Sequence, residues 1–243
     1  MSDEKDDNYI KALQSSKEKT ADYYKKSVVK TEQQKFLEKL LAGKNKKFSK
    51  IADIACGGGT LSFHLKEIFP EAEFFLGDFN SDALEIAKEL NGKDNFNYSQ
   101  ENIYKLSYPD NSFDLVCCWQ TLSWLDDPEK ALNELVRITK PGGIIFASSL
   151  FNLNHDVDIF AKLHDHTRPE AEIGYSYNTY SKKSVEKWLS GKAKSFSLHE
   201  FNPEIDFEFE GMGIGTFTVR AGNRRLQISA GYLMNWAILD IEK

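Results

Sequence analysis

The chain has 243 residues, 41% of them apolar and 28% charged, with a net charge of −6. That size supports one large core and hardly two, and the composition is that of an ordinary soluble globular protein. Acidity disfavours a phosphate-backbone partner, no apolar run reaches membrane-spanning length, and the polar start Ser2-Asp3-Glu4 is unlike a secretory signal.

Two helices open the chain, over Tyr9 to Lys25 and Val28 to Leu41, the second stopped by Gly43. The lysines from Lys44 to Lys50 read as a solvated loop. Strands and helices then alternate. A strand from Lys50 to Ile54 leads to a helix from Thr60 to Phe69, ended by Pro70. A strand from Ala72 to Leu76 leads to a helix from Ser81 to Leu90, stopped by Asn91-Gly92. Short strands follow near Phe96 to Gln100 and from Phe113 to Cys118. A helix from Pro128 to Thr139 precedes a strand from Ile144 to Ser148. Apolar strands alternating with helices predict a parallel sheet covered on both faces.

Beyond residue 150 the alternation stops. Residues 150 to 180 are rich in Asn, His and Tyr and show no periodicity, which predicts a lid; Tyr175, Tyr177 and Tyr180 are expected to line it. A short helix is predicted from Ser184 to Leu189. The C-terminal part switches to period two at Phe196, Leu198, Ile205, Phe207 and Phe209. It continues through Thr216 to Arg220, Leu226 to Ile228 and Leu233 to Ile241, predicting antiparallel strands that close one sheet edge.

The most informative stretch is Asp53-Ile54-Ala55-Cys56-Gly57-Gly58-Gly59-Thr60, where an apolar strand runs into a glycine-rich turn and a helix. Glycines let a ligand approach the backbone, and the following helix N-terminus offers unpaired N–H groups. Asp78 follows Gly59 by 19 residues, the spacing of an acid that accepts from a ribose diol. The alternative role for Asp78, capping the next helix, falls more naturally to Asn80 or Ser81. Cys56, Cys117 and Cys118 form no C-x-x-C pair and read as reduced, buried thiols of a cytoplasmic protein.

The stretch Asp53 to Gly59 resembles the D-x-G-x-G-x-G motif of class I S-adenosylmethionine-dependent methyltransferases, with Ala55 replacing the first glycine. Gly77-Asp78-Phe79-Asn80 resembles the second motif of that family. Asn102-Ile103-Tyr104 with Pro109-Asp110-Asn111-Ser112-Phe113-Asp114 is similar to the third and fourth, and Leu132 to Gly143 to the helix and turn before strand five. The resemblance spans residues 50 to 150, in order, and points to the small-molecule branch. It implies a seven-stranded, mostly parallel Rossmann-like sheet with helices on both faces and an antiparallel C-terminal edge. Residues 1–45 would form an N-terminal helical cap, and residues 46–243 the methyltransferase domain with a lid insert at about 150–190.

The cofactor implied is S-adenosylmethionine, held by Asp53, Ala55, Gly57, Gly59, Asp78, Phe79, Asn102, Ile103, Cys118 and Trp119, with Tyr23 and Tyr24 folded over it. Asp53 would orient the glycine loop and Asn102 would accept from the adenine amine. Cys118 would present its carbonyl rather than act as a nucleophile, since no base or cation neighbours it in sequence. His155, His164 and His166 are candidates for a general base, should the acceptor need one, and no metal is expected. The expected partner is a small-molecule acceptor, methylated on O or N, such as a sugar, a surface-polysaccharide precursor or a secondary metabolite. No nucleic acid or membrane partner is expected, and the chain would be a monomer or homodimer. The alternatives are an RNA or protein methyltransferase, an NAD-dependent oxidoreductase and a non-catalytic cofactor-binding module. Against the oxidoreductase, Gly57 to Ser62 lacks the third glycine of G-x-G-x-x-G.

Overall fold

The structure is a computed structural model that describes residues 29–166, 175–209, 216–229 and 231–243. The first predicted helix, with Tyr23 and Tyr24, lies outside the described residues. The second is α1 (Glu32–Ala42), which begins at a capping box: Thr31 accepts from the Gln34 N–H, and the Gln34 side chain accepts from the Thr31 N–H. Such caps contribute about 1 kcal/mol. Leu37 and Leu41, one turn apart, are the residues that α1 buries most completely in its apolar face.

The alternating core follows the predicted order. It comprises β1 (Lys50–Ile54), α2 (Thr60–Ile68), β2 (Glu73–Asp78), α3 (Ser81–Asn91), β3 (Asn97–Gln100) and β4 (Phe113–Cys118). After them come α4 (Pro128–Ile138) and β5 (Thr139–Asn152). Local chemistry sets the boundaries. Asn80 accepts from the Asp82 N–H to start α3, and Asp127 caps α4 with Pro128 at its first position. The strand predicted from Ile144 to Ser148 is longer at both ends, because pairing with β4 begins at Thr139 and its C-terminal half pairs with another strand.

The segment after β5 contains β6 (Lys162–Leu163), β7 (Tyr175–Ser176), β8 (Tyr180–Ser181) and α5 (Lys182–Leu189). Five further strands follow: β9 (Ser195–Glu200), β10 (Thr216–Ala221), β11 (Arg224–Ser229), β12 (Tyr232–Leu233) and β13 (Trp236–Glu242). The main sheet runs β3-β2-β1-β4-β5-β13-β9, with β8 added beside the end of β5. Strands β1 to β5 are parallel, while β13 is antiparallel to both β5 and β9. One face packs on α4 and α5 through Ala52, Val116, Ile145, Leu132 and Val185. The other packs on α1 and α2 through Ile51, Leu115, Phe146, Leu37 and Leu65.

Two expectations are corrected. Only β9 and β13 close the sheet edge; β10, β11 and β12 form a separate three-stranded sheet. Ile205, Phe207 and Phe209 alternate in sequence but form no strand; Phe207 bonds to Thr218 of β10 without extending into a ladder. Tyr177 and Tyr180 do not line a lid surface: both are buried, Tyr177 stacked on Trp124 at 4.2 Å and Tyr180 against Trp188. No helix among the described residues is long and apolar enough to cross a membrane.

Candidate active site

The chain passes from β1 outward to β2 and β3, then crosses to β4 on the other side of β1. This reversal makes the carboxyl ends of β1 and β4 the topological switch point, where open α/β sheets bind ligands. Register between the two strands ends at Asp53 and Cys117, and beyond it the chains part as separate loops.

The loop after β1 occupies that gap. Ala55, Gly57 and Gly59 all have positive φ, at 57°, 53° and 74°. A Cβ on Gly59 would lie 2.6 Å from Nδ2 of Asn91, which donates to the Gly59 carbonyl, so only glycine fits. Ala55 adopts the same left-handed region with a Cβ, at a cost of about 1–2 kcal/mol. Strain of this kind persists where surrounding structure over-determines it, and it concentrates at functional sites.

Asp78, not Asp53, holds the loop. Its Oδ2 accepts from the Gly57 N–H at 2.8 Å and its Oδ1 from the Asn80 N–H at 2.8 Å. Burial nevertheless raises its pKa above the ordinary carboxylate value. Asp53 is fully buried behind the loop, where its Oδ2 accepts from the Ser62 hydroxyl at 2.8 Å and its Oδ1 has no partner among the described residues. Burial pushes the Asp53 carboxyl up to about 7. Burial also lifts the Cys56 thiol well above its ordinary value.

The remaining candidates divide into three groups. Phe79, after β2, is half-buried, and Ile103 is buried below the turn that follows β3. Oδ1 of Asn102 accepts from the Tyr104 N–H at 2.9 Å, which spends one lone pair on its own turn. At the end of β4, Cys118 is fully buried with its thiol raised by burial to about 12, and Trp119 is half-buried. The neutral thiol fits a backbone role for Cys118 and not nucleophilic catalysis. His155, His164 and His166 are all exposed on the segment after β5. Among the described residues, no three His, Cys, Asp or Glu side chains gather into a possible metal site.

Two residues beside the switch point have no signal in the local sequence. Gln120 has a φ of 52°, and its Nε2 donates to Gln33 Oε1 on α1 at 2.9 Å. The same Oε1 accepts from the Ser148 hydroxyl of β5 at 3.1 Å, while the buried Gln33 Nε2 has no partner among the described residues. The one available hint was a glutamine four residues before Leu37, on the buried face of α1.

Strand order, glycine loop and terminal acid define a Rossmann-like α/β domain with a switch-point crevice. Residues 52–147 match the family model described as a methyltransferase domain, which supports a class I S-adenosylmethionine-dependent methyltransferase. The chain is 38% identical over 109 residues to an uncharacterized methyltransferase of Schizosaccharomyces pombe, an alignment covering 41% of this chain and 39% of that protein. It is 34% identical over 112 residues to a ubiquinone/menaquinone biosynthesis C-methyltransferase of Pseudoalteromonas translucida, covering 44% and 45%. The chain thus spans less than half the length of these curated relatives. A crystal structure of a SAM-dependent methyltransferase from Methanosarcina mazei shares the fold, with a TM-score of 0.55 at 20% identity, over 84% of this chain and 96% of that one. The fold and family expected from the motifs are both met.

Proposed function

We propose that this protein transfers the methyl group of S-adenosylmethionine to a small-molecule acceptor. The observation that carries the reading is the Asp78 carboxylate beside a left-handed glycine loop at the switch point. The crevice suits such a cofactor on its own terms. The loop denies space to a Cβ at Gly59, Asp53 keeps a buried oxygen with no partner among the described residues, and Asp78 ends the neighbouring strand.

In this reading Asp78 accepts from the ribose diol while Gly57 and Gly59 let the backbone approach the amino-acid end. Asp53 supports the first turn of α2 from behind the loop, through Ser62. Asn102 accepts from the adenine amine with its second lone pair, and Ile103 and Phe79 cover the base. Ala55 and the Cys118 carbonyl sit beside the methionine portion, with Trp119 walling the transfer region. Tyr23 and Tyr24 close over the cofactor. Bound S-adenosylmethionine supplies a methyl already activated by a sulfonium. The protein therefore has to align the acceptor and exclude water. A base is needed only for a protonated nucleophile, and His155, His164 and His166 are the residues assigned to that step. The named relative in quinone biosynthesis supports a small acceptor, and the chain's acidity disfavours RNA.

Incubation with methyl-labelled S-adenosylmethionine and a low-molecular-mass metabolite fraction tests the reading. Label should appear in small molecules, and at limiting S-adenosylmethionine it should fall about tenfold or more with Asp78→Ala. Label found only in RNA or protein would overturn the acceptor class.

A further inference from the structure

A polar knot joins three elements at the carboxyl edge of the sheet, beside the switch point. Cys118, the last residue of β4, pairs with Ala147 of β5, so Gln120 lies just past that ladder on one strand and Ser148 on the other. Gln33 of α1 meets both. Its Oε1 accepts from Gln120 Nε2 at 2.9 Å and from the Ser148 hydroxyl at 3.1 Å. Gln33 and Ser148 are buried, whereas Gln120 is half-buried at the edge of the knot.

Both the backbone and the side chain of Gln120 are held in place. Its φ of 52° lies in the left-handed region, and the Thr121 hydroxyl closes the turn by donating to the Trp119 carbonyl at 2.9 Å. Strain that the surroundings over-determine concentrates at functional sites. Gln33 draws the Gln120 Nε2 toward α1, which turns the Gln120 Oε1 away from that helix. This oxygen has no partner among the described residues. The knot therefore presents a fixed, uncharged hydrogen-bond acceptor next to Trp119. Gln120, Gln33 and Ser148 are all neutral, and an amide oxygen does not take up a proton at ordinary pH.

We propose that the Gln120 carbonyl faces the transferable methyl from the acceptor side, where it accepts an N–H of an amine acceptor, and that Gln33 is its positioning residue. The inference rests on the methyl-transfer reading and deepens it by naming the acceptor class. A neutral amine suits such a site because it attacks without first losing a proton. Its nitrogen lone pair forms the bond to the methyl carbon as the C–S bond breaks, with that electron pair going to sulfur. The products are S-adenosylhomocysteine and an N-methylammonium, which sheds its proton to solvent. Positive charge develops on the nitrogen during this step, and a carbonyl dipole already oriented toward it stabilises that charge without reorganisation.

Calorimetric titration of the full chain with S-adenosylhomocysteine and with sinefungin tests the placement, because sinefungin carries a protonated amine where the transferable methyl would sit. The wild type should bind sinefungin about tenfold or more tightly, as expected for a charge-assisted hydrogen bond. Gln120→Leu should erase the preference while leaving S-adenosylhomocysteine affinity nearly unchanged. Gln33→Leu should reduce the preference, and Gln33→Glu, which still offers an oxygen to Gln120 Nε2 and Ser148, should retain it. Equal wild-type affinities, or a preference that survives in Gln120→Leu, would overturn the placement of Gln120. Survival in Gln33→Leu would overturn the positioning role. Turnover of isotopically methyl-labelled S-adenosylmethionine with a low-molecular-mass metabolite fraction should put the label on nitrogen by NMR; a methyl on oxygen or carbon would overturn the amine class. Failure to bind S-adenosylhomocysteine overturns methyl transfer itself, whereas its binding without a sinefungin preference overturns only this inference.

Discussion

Asp78 Oδ2 accepts the Gly57 N–H at 2.8 Å, so the carboxylate that ends β2 holds the turn that follows β1. One side chain thus fixes the relative position of the two loops that flank the proposed cofactor. Asp78→Ala should weaken S-adenosylhomocysteine binding by roughly 1.5–3 kcal/mol, the range for hydrogen bonds to a charged group. Calorimetry on the variant checks this, and unchanged affinity would remove Asp78 from the site.

Ala55 and Gly59 should respond in opposite directions to the same exchange. Ala55→Gly removes a left-handed cost of about 1–2 kcal/mol and adds about 0.5–1 kcal/mol of unfolded-state freedom, for a gain of up to about 1.5 kcal/mol. Gly59→Ala pushes a Cβ against Asn91 and should cost roughly 2–4 kcal/mol. Denaturant melts of both variants decide the matter; a destabilising Ala55→Gly would contradict the loop geometry.

Asn102 supports its own turn through Oδ1 and the Tyr104 N–H. Asn102→Asp keeps an acceptor for both the turn and an adenine amine, so cofactor affinity should hold or improve. Asn102→Leu loses both, and affinity should fall by about 1 kcal/mol or more. Equal affinity across the three proteins would show that this position does not touch the base.

Much of this was legible in the sequence because it is encoded locally. The glycine loop, the Asn80 cap and the Asp127-Pro128 helix start each lie within a few residues of what they control. Partner choice is not local. Period-two alternation marks β9 and β11 alike, yet only β9 joins the main sheet, because pairing depends on which edge is free. Tyr177 and Tyr180 read as the lining of a lid in an Asn-rich segment and are buried by Trp124 and Trp188 from other elements. The Gln33–Gln120 contact spans 87 residues and leaves no periodic trace. Asp53 and Asp78 were both recognised as site residues, but which of them holds the loop depended on their positions in space.

Burial raises the Asp53 carboxyl from 3.8 to about 7. The folded state therefore binds the proton more tightly than the unfolded state. The stability Asp53 contributes is present in full below about pH 4 and is lost as the pH rises to about 7. Asp53→Asn keeps an acceptor for Ser62 and does not titrate. The melting temperature of the wild type should thus fall relative to Asp53→Asn across that window, and parallel profiles would contradict the assignment.

The central claim is a switch-point crevice that holds S-adenosylmethionine and not a dinucleotide. Calorimetric titration of the full chain with S-adenosylhomocysteine and with NAD measures it directly. Saturable binding of S-adenosylhomocysteine with no detectable NAD binding is the predicted result, and preferential binding of NAD would contradict it.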